Sequence, residues 1–190
     1  MSESYVTATM KYITPYPLDE FYSLLNLPMP SVRRVHPSEI PSIQRQLLVH
    51  DEDMTIAQEN HYKQSLRVSA LRVVRENDSM LRLVNLILDD DNPILFGAIH
   101  IHLDMFDKDP REQIEGCERP FGRILNDYAI LHYSKPDLFF EILSDATINE
   151  ALRLNGHQCL YGRVNTLYTP NNQPLAEVVE VLPSNIPERK

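Results

Sequence analysis

The chain has 190 residues, 43% of them hydrophobic, and a formal net charge of −9. That length and apolar content suffice for one domain with its own core, expected to span residues 1–190. The acidic balance argues against a duplex-binding surface, which must set Lys and Arg against phosphates, yet it permits positive charge focused inside one pocket.

No stretch approaches the roughly 18 unbroken apolar residues of a membrane helix, and the N-terminus lacks the basic-then-apolar pattern of a secretory signal. Cys117 and Cys159 are isolated, without CxxC spacing. Two free thiols in a reducing cytoplasm are the expectation.

In chain order, PYPLDEFYSLLNLP predicts a short helix between breakers. PSEIPSIQRQLLVHD predicts a second, with Ile40, Ile43, Leu47 and Leu48 near helical spacing. DEDMT reads as a capping turn before a helix beginning around Thr55. From Ser65 the pattern becomes strand-like: SLRVSALRVVRE, MLRLVNLILDD and LFGAIHIHL, separated by polar turns. DKDPREQIEGCERP reads as a loop. PFGRILNDY then predicts a short helix, with Pro120 suited to its first turn. LFFEILSDATINEALRL reads as helical, in one or two pieces. LYGRVNTLYTPNNQPLAEVVEVLP supplies two final strands joined by a polar turn, and the tail SNIPERK, residues 184–190, is expected to be flexible. Short turns between successive strands imply antiparallel pairing, hence an α+β fold. GxGxxG and P-loop patterns are absent.

Polar groups on apolar strand faces are the candidate functional residues. Alternation puts Arg82 with Val84, Leu86 and Leu88; a guanidinium cannot shed its proton, so burial would demand an anion, the alternative being snorkelling to solvent. Glu180 shares a face with Val178 and Leu182, and Glu177 shares the other with Val179 and Val181. Both flanks are apolar, so alternation leaves open which acid points inward, and an ion pair with Arg82 or Arg163 competes with a site role. Arg163 is either a further anion clamp or solvent-exposed. His100 and His102 form an HxH pair, which binds metal only with a third ligand from elsewhere. Asp104 continues that face, but a surface-facing pair is the simpler reading and no metal is expected.

Together these segments resemble the chorismate pyruvate-lyases. LLVHDEDMT, MLRLVNLILDDDNPILFG, RPFGRILNDY and LYGRVNTLYTPNNQPLAEVVEVLP occur in that family's order and cover about residues 40–183. The resemblance implies a single antiparallel sheet with helices packed on one face and over the pocket. It also implies conversion of chorismate, a small anionic substrate, to 4-hydroxybenzoate and pyruvate without metal or organic cofactor. Arg82 then corresponds to the catalytic arginine. Glu180 corresponds to the catalytic glutamate, with Glu177 in reserve. Met54 and Phe121 correspond to residues that offer backbone amides to a carboxylate. Ala98 stands where the better-studied branch has an arginine, an anion contact that Arg163 or His100 would replace. Phe121 stands where that branch has a leucine.

The resemblance further implies a monomer in the cytoplasm, with neither nucleic acid nor membrane as partner. Two other readings use the same residues: a lyase acting on isochorismate, and a non-catalytic aromatic-acid binding domain, since ligand-sensing domains of some transcription regulators are thought to share this fold. With the first matching segment at Leu47, a sensor would need a partner chain.

Overall fold

The computed structural model describes residues 12–186. Seven described strands form one sheet: β1 (Val32–Val35), β2 (Arg67–Glu76), β3 (Ser79–Ile87), β4 (Pro93–His102), β5 (Tyr133–Leu143), β6 (Cys159–Tyr168) and β7 (Pro174–Leu182). The order is β1-β5-β6-β7-β4-β3-β2, and every pairing is antiparallel. The architecture is therefore the expected α+β one. Tight turns close the hairpins, with Asn77, Asp91 and Asn172 in the left-handed region that Asn and Asp tolerate. The C-terminal hairpin β6–β7 docks beside β4 and places the two hairpins' inner strands at the sheet centre.

Six α-helices complete the described chain: α1 (Leu18–Leu24), α2 (Ser42–Leu48), α3 (Met54–Tyr62), α4 (Lys108–Gly116), α5 (Phe121–Asp127) and α6 (Ala146–Leu152). Helices α2 to α5 pack on one face, joining side chains such as Leu48, Met54, Ile114 and Phe121 to Leu86, Leu95, Ile99 and Val178. On the reverse face α1 and α6 cover Leu83, Phe96, Ala98 and Val181. No helix among the described residues is long and apolar enough to cross a membrane. Cys117 and Cys159 are both free thiols.

Three segments differ from the sequence expectation. The predicted loop DKDPREQIEGCERP contains α4. Its Pro110 falls in the first turn, where a missing N–H costs nothing, and Cys117 rather than glycine takes the left-handed cap. The predicted helix LFFEILSDATINEALRL begins as strand β5 and turns helical only at α6, where Asp145 accepts a hydrogen bond from the Ile148 amide. Phe140 and Ile142 alternate inward with Glu141 and Leu143 outward, and Pro136 lies where the register slips, a position proline tolerates. The segment PSEIPSIQRQLLVHD divides at Pro41 into a 3-10 turn, Pro37–Glu39, and α2. β1, a four-residue strand, was not predicted. Of the tail, the Ser184 carbonyl accepts from Gln44 and Ile186 is buried, while residues 187–190 lie outside the described residues.

Candidate functional site

Between the sheet and the starts of α3 and α5 lies a cavity of about 70 Å³. That is several times the space one water requires. Its walls are mostly apolar, with Val84, Leu86, Leu95, Ile99, Leu167 and Val178 among them; Arg82, Asn165 and Glu180 supply polar groups from the sheet. Gly97 forms part of the floor beside Glu180, its cross-strand partner. A Cβ there would sit 3.3 Å from Leu95 Cδ2, so the glycine both admits close packing and leaves room above it.

Arg82 sits near the middle of β3, held between β2 and β4, and is 1% exposed. Flanked on both sides, its side chain cannot reach solvent, which excludes the snorkelling alternative. Its Nη1 lies 3.5 Å from the Ile114 carbonyl, a weak contact, and its Nε is buried without a partner. Burial lowers the guanidinium pKa from its ordinary value, and the neighbouring Cys117 thiol only partly opposes this. Among the described residues no carboxylate forms an ion pair with it. Burying such a charge is costly until an anion meets it.

Glu180 also lines the cavity and is 7% exposed. Its Oε2 accepts from Arg163 Nε at 2.5 Å, across directly paired residues of β6 and β7. Arg163 is fully buried and also donates through Nη1 to the carbonyls of Leu48 and His50, at 3.2 and 2.9 Å. Hence Arg163 is neither solvent-exposed nor part of the cavity lining; it stands behind Glu180 and ties the end of α2 to the sheet. Burial, then the nearby Arg163 charge, lowers the pKa of His50.

Met54 and Phe121 line the cavity as the first residues of α3 and α5, where backbone N–H groups have no intrahelical acceptor. The two helix starts are clasped together. His132 Nε2 lies 2.9 Å from Asp53 Oδ1, Asn126 donates to Asp53 Oδ2, and Arg123 pairs with Glu59. The hydrogen bond to Asp53 raises the His132 pKa against the opposing effect of burial.

Two expected site residues fall elsewhere. Glu177 and His100 face the reverse side of the sheet, directly opposite each other on β7 and β4. Ala98 lies on the reverse face too, inside the core under α1 and α6. None of Ala98, His100 and Arg163 is among the residues lining the cavity. Asn165, Gly97, Cys117 and the Asp53–His132 clasp were missed by the sequence reading. Only Gly97 carried a signal, as a glycine interrupting an otherwise apolar strand.

No family model matches the chain, and no curated protein does. Among solved structures it is similar to a gene product of Staphylococcus aureus, with a TM-score of 0.52 and 10% identity over 72% of this chain and 90% of that one. It is also similar to the ligand-binding domain of a putative GntR-family transcriptional regulator from Bordetella bronchiseptica, with a TM-score of 0.48 and 11% identity over 66% and 90% of the two chains. A putative transcriptional regulator from Streptomyces coelicolor gives 0.48 and 12% identity over 65% and 91%.

At these identities the first likeness establishes the fold alone. The expectation of an enzyme, a pyruvate-lyase forming 4-hydroxybenzoate from chorismate, is corrected by these findings. Of the similar structures just named, one is described as a ligand-binding domain and one as a putative transcriptional regulator. In the cavity, Glu180, the expected catalytic acid, has its Oε2 committed to Arg163. What the chain shares with the Staphylococcus aureus protein is its fold.

Proposed function

We propose that this chain is a non-catalytic binding domain for a small organic anion, an aromatic carboxylate fitting best. The observation that carries the reading is Arg82: a permanent cation, 1% exposed, on an apolar cavity wall, without a carboxylate partner among the described residues. A ligand carboxylate placed against it would convert a buried, uncompensated charge into a desolvated ion pair. The surrounding Val, Leu and Ile side chains suit a flat apolar ring. The free amides at Met54 and Phe121 offer further donors to the same ligand, and Asn165 or the remaining Glu180 oxygen would meet a ring hydroxyl. In this reading the helix starts above the cavity report occupancy, as expected of a ligand-sensing domain.

Calorimetric titration with benzoate, 4-hydroxybenzoate and the neutral isostere benzamide tests this. The acids should bind one per chain. Benzamide should bind about 30- to 150-fold more weakly, the loss of one charge-assisted contact worth ~2–3 kcal/mol. Equal affinity for acid and amide, or release of pyruvate from chorismate, would overturn the reading.

A further inference from the structure

On the sheet face away from the cavity, His100 and His102 of β4 and Glu177 of β7 converge. Their ligating atoms all lie within 4.8 Å of one another, and they are the group with this property among the described residues. His100 Nδ1 is 3.2 Å and His102 Nε2 3.0 Å from the same carboxylate atom, Glu177 Oε2. We propose that these three side chains form a binding site for a divalent transition-metal ion of the zinc class, independent of the cavity and of its ligand.

Zinc binds imidazole nitrogen and carboxylate oxygen at about 2.0–2.2 Å in a tetrahedron, which sets neighbouring donors ~3.3–3.5 Å apart. The two nitrogen–oxygen separations are within a few tenths of an ångström of that spacing, and the two ring nitrogens, within 4.8 Å of each other, reach it by side-chain rotation. An ion would enter with a small outward shift of the carboxylate, replacing the two hydrogen bonds that now hold it. All three ligands come from paired central strands, with His100 and Glu177 in direct register, so the arrangement needs little reorganisation.

Donor chemistry agrees, since two imidazoles and one carboxylate suit zinc and its neighbours in the first transition row rather than calcium or magnesium. The ligands are half-buried, with side chains 17–28% exposed, leaving an entry path and an open coordination position. The Tyr16 hydroxyl lies 2.7 Å from His100 Nδ1 and would face that position. A metal-bound Nδ1 has no lone pair left for the hydroxyl, so this contact gives way when the ion enters. The bond formed is a dative one from each donor to the ion, and any proton on the two ring nitrogens involved leaves to solvent.

The test uses the full chain, stripped with a chelator and titrated with Co²⁺ by visible absorption and with Zn²⁺ by calorimetry. One equivalent per chain should bind, with the cobalt bands of a low-coordinate site displaced by zinc. Affinity should fall by at least about 100-fold in His102→Ala and in the nearly isosteric Glu177→Gln, more than outer-shell changes cost. It should be unchanged in Arg82→Met. Circular dichroism checks folding, and Glu177→Gln alone decides if the histidine variants fail to fold. Absence of binding, or binding undiminished by Glu177→Gln, would overturn the proposal.

Discussion

Two arginines lie on the same face of the sheet, both essentially out of solvent, and they stand in opposite electrostatic situations. Arg163 has the Glu180 carboxylate directly across the β6–β7 pairing and two backbone carbonyls at its other end, with only its Nη2 buried and unpartnered. Arg82 has a distant carbonyl and a thiol, with its Nε unpartnered. A buried charge paired and hydrogen-bonded is structure; a buried charge left over is an invitation to a ligand. The difference teaches where the protein holds itself together and where it waits for something else.

Breaking the satisfied pair should have the largest effect. Arg163→Met leaves the Glu180 carboxylate buried and unpaired, and should destabilise the fold by ~3–5 kcal/mol in chemical denaturation. The double variant with Glu180→Gln should recover much of this, because the orphaned charge is gone. Full loss in the double variant would show instead that the ties to Leu48 and His50 matter more than the ion pair.

The next prediction keeps Arg82 and removes the space it faces. Gly97→Val fills the cavity floor and presses on Leu95, at a cost of ~1–3 kcal/mol. Affinity for an aromatic acid should fall despite the intact cation. Unchanged affinity would place the ligand elsewhere.

A smaller effect concerns the clasp over the cavity. Because His132 has its pKa raised by Asp53, its contribution is fully present below the ordinary value of 6.5 and is lost as pH rises through the raised one. Thermal stability should therefore decline with alkalinity above 6.5. That slope should flatten in Asp53→Asn, as a pH series of melting temperatures would show.

The strands that build the cavity floor were legible because their alternation is clean: MLRLVNLIL and LFGAIHIHL both read as strands, and the first sets Arg82 on a face with Val84, Leu86 and Leu88. That Gly97 shares that face follows only from the register. β5 was not, since its Pro136 and its run into a genuine helix mask the alternation of Phe140 and Ile142. α4 was hidden by a proline and a glycine that here occupy positions where they do no harm. The choice between Glu177 and Glu180 could not be made along one strand, because both neighbourhoods are apolar. It is decided across strands, where Glu180 meets Gly97 and Arg163 while Glu177 meets His100. Partner identity depends on register, and register is a property of the folded sheet. Local patterning located Arg82; only tertiary structure shows that it lacks a counter-ion among the described residues.

The most direct measurement compares Arg82→Met with the unaltered protein in thermal denaturation, each with and without 4-hydroxybenzoate. Removing an unpaired buried charge should leave the ligand-free protein as stable as before or more so, and should abolish the stabilisation that ligand confers. A variant markedly less stable without ligand, yet still stabilised by it, would show that Arg82 is a structural group and that the cavity's anion site is not where this account puts it.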